Sequence, residues 1–197
     1  MMPVLFGLQQ AIEGLLWLAL EAGTSPAGVR PLALSYLFFA FALWPSWIPW
    51  VAFSMARGRL KPWLQVLLFA LSLCGLLLGL GLWLPLLIEP TRLSTAVHGH
   101  SIAYSSELLL SGTAGSLARL LYLLVIVLPL LLLPSPRLRL FALALLSTGL
   151  LADWYAHYAF TSVWCYLSAM LSSWILWLVW SEPAMRSNAD PLGRRAA

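Results

Sequence analysis

The sequence predicts an all-α fold, a polytopic bundle of six transmembrane helices with both ends of the chain in the cytoplasm. Composition is the first reason, because 61 % of the 197 residues are hydrophobic, 9 % are charged and the mean hydropathy is +0.89. A soluble domain contains about 25 % charged residues. The chain also has 11 Trp, many near the ends of apolar segments, as is typical of the aromatic belts at the two membrane interfaces.

Segment length is the second reason. A bilayer core about 30 Å thick requires roughly 17–25 helical residues, and six apolar segments reach this length. The predicted helices span residues 3–20, 31–55, 63–88, 117–133, 140–160 and 161–180. Residues 1–182 therefore form a single transmembrane domain with an outer loop at 89–116, and residues 183–197 form a polar cytoplasmic tail.

The distribution of basic residues predicts the orientation, because cytoplasmic loops are enriched in Lys and Arg. With both ends inside, eight of the 11 basic residues lie on the cytoplasmic side: Arg57, Arg59, Lys61, Arg137, Arg139, Arg186, Arg194 and Arg195. Arg30, Arg92 and Arg119 lie outside. The net charge of +4 is thus explained by topology, and no basic run interleaved with aromatic residues indicates a nucleic-acid partner.

One polar stripe interrupts the first segment. Gln9, Glu13 and Trp17 recur at four-residue steps and therefore share one helical face. Glu13 lies roughly 15 Å from the cytoplasmic end of its helix, near the middle of the bilayer, where an ionisable group is costly unless it faces the protein interior. We therefore predict a polar cavity around Glu13 that binds a small ligand or a lipid. The predicted binding residues are Gln9, Gln10, Glu13, Trp17 and Trp164. The alternative is a structural carboxyl group, hydrogen-bonded by Gln or Trp.

A metal-dependent membrane hydrolase that faces outward is the second hypothesis. Its candidate ligands are His98, His100, Asp153 and His157. If residues 96–104 are extended, the first two lie on one side, and the other two form an i, i+4 pair at the outer end of the fifth helix. Three protein ligands and a water form a catalytic zinc pattern. The predicted cofactor is accordingly none, or else zinc or another divalent metal.

In outline this set resembles the alkaline ceramidase superfamily, which has seven helices, three His, an Asp and a Ser. The chain departs from that pattern because it lacks an HxxxH pair and because two of its His come from a loop. A hydrogen bond between Asp153 and His157 that anchors the helix end is the competing explanation. No GxSxG or SxxK motif for a nucleophilic serine occurs, so the prediction favours a protein that is not an enzyme.

A structural or assembly subunit that binds a partner in a larger membrane complex is the third hypothesis. Gly75 and Gly79 form a GxxxG pattern, followed by Gly81, and small residues at this spacing let another backbone approach closely. The small size of the chain and the lack of a soluble domain also suit a subunit. Cys74 and Cys165 lie in apolar segments and predict neither a disulfide framework nor a zinc motif.

The stretches FGLQQAIEGLLWL (6–18) and FTSVWCYLSAMLSS (160–173), with HGHSIAY (98–104), resemble a family of bacterial multi-pass membrane proteins without an assigned activity. Members of that family usually start with an additional helix that opens Met-Cys-Phe-Ser-Ala, and this helix is missing here. The resemblance therefore implies seven helices, of which the chain has six, and a location in the bacterial inner membrane. It supplies no activity and no catalytic residues.

Overall fold

The computed structural model of the chain describes residues 2–105, 112–156 and 159–189, and the protein is mostly helical (84 %). The elements in chain order are α1 (Met2–Glu21), α2 (Pro26–Leu37), a π segment (Phe38–Leu43), α3 (Trp44–Ala56), α4 (Pro62–Ile88), β1 (Ser94–His98), β2 (Ser101–Ser105), α5 (Gly112–Leu132), α6 (Pro136–Tyr155) and α7 (Phe160–Ala189). Along the bundle α3 packs on α4 and α5, α5 packs on α6, and α6 packs on α7. Helix α1 contacts both α2 and α7 and so closes the bundle.

Four helices in the described ranges are long and apolar enough to cross a membrane: Met2–Glu21, Pro26–Ala56, Pro62–Ile88 and Pro136–Tyr155. The second of these is continuous through α2, the π segment and α3. A further apolar helix, Leu117–Leu132, is shorter. Large apolar side chains face outward along α4, such as Leu77 at 70 % exposure. These helices fit the predicted helical membrane protein.

The observed helices extend beyond several predicted segments. Helix α2 begins at Pro26 rather than at residue 31, because Pro is favoured in the first turn, where its missing N–H would have no partner anyway. Helix α5 begins at Gly112 rather than at residue 117. Helix α7 continues to Ala189 and so includes part of the predicted polar tail.

The core of the bundle is aromatic where α1, α3, α5 and α7 meet. The rings of Phe6 and Trp44 stack with centroids 4.0 Å apart. Tyr122 and Trp164 meet edge to face at 5.5 Å. All four side chains are buried, and aromatic pairs of this kind add about 0.5–1.5 kcal/mol beyond the area that they bury.

The π segment leaves a backbone carbonyl that another helix must satisfy. Trp44 donates its backbone N–H to the carbonyl of Phe39, five residues back. In this pattern the next donor would be Pro45, which has no N–H, so the carbonyl of Ala40 lacks its helical partner. The Tyr122 hydroxyl, from α5, donates a hydrogen bond to that carbonyl.

A second proline exposes a second carbonyl, and two glycines of α4 pack against this region. Pro49 has no N–H to donate to the carbonyl of Pro45, its α-helical partner. Gly75 lies so close to this carbonyl that a Cβ atom there would overlap the oxygen. A Cβ at Gly79 would lie 2.9 Å from the carbonyl oxygen of Phe41. The GxxxG pattern therefore packs α4 against α3 and the π segment within the chain.

Strands β1 and β2 form an antiparallel hairpin that packs on α1 and α7. Its turn is at Gly99 and His100, where Gly99 has φ +60°, a conformation that favours glycine. His98 and Ser101 are paired on opposite sides of the turn. Residues 96–98 and 101–104 are extended, but the chain reverses direction at Gly99 and His100, so the two His do not lie on one side of a single continuous strand.

Arg30 joins α2 to the end of α4. Its Nη2 donates to the carbonyl oxygens of Leu86 and Leu87, at 3.1 and 2.9 Å, which are among the last carbonyls of α4 and have no helical partner. We expect Arg30→Met to destabilise the protein by about 2 kcal/mol, since hydrogen bonds from a charged group contribute about 1.5–3 kcal/mol. The measurement is the thermal unfolding midpoint in detergent micelles.

The matched control for Arg30→Met is Arg59→Met, because Arg59 is exposed in the turn between α3 and α4. This variant should unfold at the temperature of the unmodified chain. Equal midpoints for the two variants would show that Arg30 does not cap α4.

Candidate functional site

A cavity of ≈ 550 Å³ lies between α1, the hairpin and α7. Its volume falls within the roughly 300–1,000 Å³ that is usual for small-molecule sites. The described residues that line it are Gln10, Glu13, Gly14, Trp17, His100, Ser101, Ile102, Ser162, Val163, Tyr166 and Leu167. It therefore contains three of the predicted binding residues, and the hairpin supplies one wall.

Hydroxyl groups from three elements surround the carboxyl group of Glu13. The Tyr104 hydroxyl donates to Glu13 Oε1 at 3.2 Å. The Ser162 hydroxyl also lies beside this carboxyl, and the Tyr36 hydroxyl lies near it but donates its hydrogen bond to the carbonyl oxygen of Thr161 at 3.3 Å. The Tyr104 ring stacks on the Tyr36 ring, with centroids 5.0 Å apart and planes 9° apart. Helix α2, strand β2 and helix α7 thus fix the position of Glu13.

Tyr104 is a neutral hydrogen-bond donor in this arrangement. Burial, followed by the nearby Glu13 carboxyl, raises the pKa of Tyr104 well above its ordinary value. Its phenol therefore keeps its proton over the physiological pH range and donates a hydrogen bond to Glu13. This contact ties the hairpin to the wall of the cavity.

Glu13 has no ion-pair partner within the described parts of the chain. The ion pairs seen there join Glu89 to Arg92, and Asp153 to Arg119 at 3.3 Å. Neither lies on α1. The lining residues given above include no Lys and no Arg. An ionised Glu13 would therefore place a negative charge on the cavity wall with no Lys or Arg side chain in the described lining.

Two of the predicted binding residues lie elsewhere. Gln9 is fully buried, and its Oε1 accepts a hydrogen bond of 2.7 Å from Trp44 Nε1, so it joins α1 to α3. Trp164 Nε1 donates to the carbonyl of Leu145 at 3.2 Å and joins α7 to α6. Trp164 also lines a separate cavity of ≈ 20 Å³ that is mostly apolar. The structure therefore brings together Gln10, Glu13 and Trp17 from the predicted set.

The predicted metal ligands that the structure describes lie at three different places in the fold. His100 lines the cavity, His98 ends β1, and Asp153 on α6 forms the ion pair with Arg119. Among residues 2–105, 112–156 and 159–189 no three His, Cys, Asp or Glu side chains form a group that could hold a metal ion. His157 lies outside the described residues, so the four-residue metal site stays a prediction.

Several residues of the site have no counterpart in the prediction. Tyr36, Tyr104, Ser162 and Tyr166 contact Glu13 or line its cavity. Ser162 and Tyr166 are four residues apart and share a helical face, which is a readable signal. The position of Tyr104 depends on the hairpin turn at Gly99, which periodicity alone does not reveal.

Comparisons with protein-family models, with curated proteins and with solved structures found no match to this chain. The resemblance to a family of bacterial membrane proteins therefore stays a prediction.

Proposed function

We propose that this chain is a multi-pass membrane protein that binds a small molecule or a lipid headgroup in the cavity around Glu13. The observation that carries the proposal is a carboxyl group on the wall of a ≈ 550 Å³ cavity with no ion-pair partner among the described residues. Ionisable groups inside membrane helices are costly and tend to be functional. Ligand sites combine apolar walls with a few such polar groups that orient the ligand.

The proposed setting is the bacterial inner membrane, with six spans and both ends in the cytoplasm. The four long apolar helices support a membrane protein, and the enrichment of Lys and Arg in alternate loops supports the orientation. In this orientation the hairpin lies in the outer loop. The cavity beneath it then opens toward the outer side, and the proposed function is binding without catalysis.

Glu13→Gln tests the proposal. We expect the unmodified protein, purified gently from its own membranes, to carry a bound organic mass in native mass spectrometry. The amide retains an oxygen that can accept from Tyr104 but loses the charge, so folding should persist. Occupancy of the bound mass should fall about tenfold or more, as expected for the loss of a charged hydrogen bond.

Glu21→Gln is the matched control, because Glu21 is exposed at the end of the same helix and does not line the cavity. It should retain the bound mass at the unmodified level. Thermal unfolding midpoints of both variants report whether the fold is intact. Equal occupancy in the unmodified protein and in a folded Glu13→Gln variant would contradict the proposal.

A further inference from the structure

We propose that the group recognised beside Glu13 is an organic ammonium ion with an oxygen acceptor close to its nitrogen, as in ethanolamine and choline. The inference rests on the proposed function of the cavity and names the chemical class of its ligand. Three features of the described lining lead to it: one acidic side chain with no Lys or Arg in the lining, two aromatic side chains from different walls, and one buried amide nitrogen, on Gln10, that forms no hydrogen bond of normal geometry.

The charge of the lining favours a cation. Glu13 is its acidic residue, and the lining seen in the structure includes no Lys or Arg. A carboxylate accepts hydrogen bonds at about four lone-pair positions; the Tyr104 hydroxyl donates to one oxygen and the Ser162 hydroxyl lies beside the carboxyl, which leaves positions for a ligand. An ammonium group supplies both the compensating charge and further N–H or polarised C–H donors. An anionic ligand would instead place like charges together, which disfavours binding.

The aromatic side chains of the lining favour an organic cation over a bare metal ion. Trp17 extends from α1 and Tyr166 from α7, so the two side chains belong to different walls of the cavity. Aromatic rings attract ammonium groups through their negative faces and are the usual recognition elements for quaternary ammonium ligands. The carboxyl and the rings together match a nitrogen that carries both charge and apolar substituents.

The amide of Gln10 indicates the oxygen acceptor. Gln10 lies three residues before Glu13, so the two side chains are neighbours on one helical face. Its Nε2 atom is buried and, although it lies near the Glu13 carboxyl, forms no directed hydrogen bond in the described structure. Leaving a buried donor unmet costs about 1–3 kcal/mol. A hydroxyl or ester oxygen one or two carbons from the ammonium nitrogen would accept from it.

The same chemistry occurs in two sources, free amino alcohols and the headgroup of phosphatidylethanolamine. Both present an ammonium nitrogen and an oxygen at short separation. Binding of the free headgroup compounds therefore tests the chemistry, and a separate lipid experiment distinguishes the two sources.

The first experiment compares choline with 3,3-dimethylbutanol, its neutral isostere, by titration calorimetry on the purified full chain. Choline should bind at least about tenfold more tightly than the isostere, and Glu13→Gln should remove that preference. Glu21→Gln should preserve it. Equal affinities for the two compounds in the unmodified protein would overturn the inference.

The second experiment examines Gln10 with two probes that differ in the oxygen. Gln10→Leu should lower the affinity for choline by about threefold to tenfold, because it removes the amide that donates to the choline hydroxyl. The same variant should leave the affinity for tetramethylammonium unchanged, because this cation has no oxygen. Equal losses for the two probes would show that Gln10 does not contact the ligand oxygen.

The third experiment identifies the source in nanodiscs that contain equal amounts of phosphatidylethanolamine and phosphatidylglycerol. If native mass spectrometry shows preferential retention of phosphatidylethanolamine, the inference is supported and the ligand is a lipid. If free ethanolamine displaces the bound lipid, the inference is supported and the ligand is a free amino alcohol. Retention of phosphatidylglycerol at an equal level, together with no binding of free ethanolamine, overturns it. If a neutral or anionic mass is bound and lost in Glu13→Gln, the cavity function stands and the ammonium inference fails. If no mass is bound, both fail.

Discussion

Gly75→Ala is expected to prevent normal packing of α4 against α3. The new Cβ would overlap the carbonyl oxygen of Pro45, which is backbone and cannot rotate away as a side chain can. The two helices must therefore separate, and overpacking of this kind costs about 3 kcal/mol or more. The measurement is the yield of monodisperse protein in size-exclusion chromatography, together with its thermal unfolding midpoint.

Gly81→Ala is the matched control on the same helix, because no atom lies within 4 Å of the position where its Cβ would be built. Ala is favoured over Gly in a helix by about 1 kcal/mol, so this variant should be as stable as the unmodified chain or more so. Gly79→Ala should destabilise the protein less than Gly75→Ala, because its Cβ would lie 2.9 Å from the Phe41 oxygen and so overlap it less than a Cβ at Gly75 overlaps the Pro45 oxygen. Normal yield and stability for Gly75→Ala would refute the packing described for α3 and α4.

Tyr104→Ala is expected to detach the hairpin from the bundle. The change removes a ring that is 6 % exposed, its stacking on Tyr36 and the hydrogen bond to Glu13. Truncating a buried aromatic side chain costs about 3 kcal/mol or more. Hydrogen exchange followed by mass spectrometry should show faster exchange in residues 94–105. Tyr104→Phe keeps the ring and should cost about 1–2 kcal/mol through the lost hydroxyl.

Val97→Ala serves as the control for the hairpin, because Val97 lies on β1 and is 40 % exposed. Exchange in the same segment should change little. If Tyr104→Ala and Val97→Ala exchange at the same rate, Tyr104 does not hold the hairpin in place.

Much of the fold follows from local patterns in the sequence. Apolar runs of sufficient length predict the helices, because a membrane helix must satisfy its own backbone groups. The spacing of Gly75 and Gly79 likewise predicts a close helix contact. The pattern does not identify the partner segment. Gly75 meets the Pro45 carbonyl, which Pro49 leaves without an N–H donor, and Gly79 meets the Phe41 carbonyl.

The candidate site is predictable only where its residues share one helix. Glu13, Gln10 and Trp17 belong to α1, and helical periodicity brings them together. Tyr36 and Tyr104 reach the same point from α2 and β2, and such tertiary contacts leave no periodic signal. Gln9 fits the periodic stripe as well as Glu13 does, yet its oxygen accepts from Trp44 and so faces another helix.

The prolines of the long apolar helix Pro26–Ala56 also bear on the biosynthesis of the protein. The carbonyls of Ala40 and Pro45 find their neighbours on α5 and α4, through the Tyr122 hydroxyl and the backbone at Gly75. Both helices are synthesised after α3. A carbonyl without a partner is costly in lipid. In the proposed membrane topology, the newly made helix Pro26–Ala56 is therefore expected to stay beside the insertion machinery until α4 and α5 arrive, so that the three helices enter the bilayer as a group.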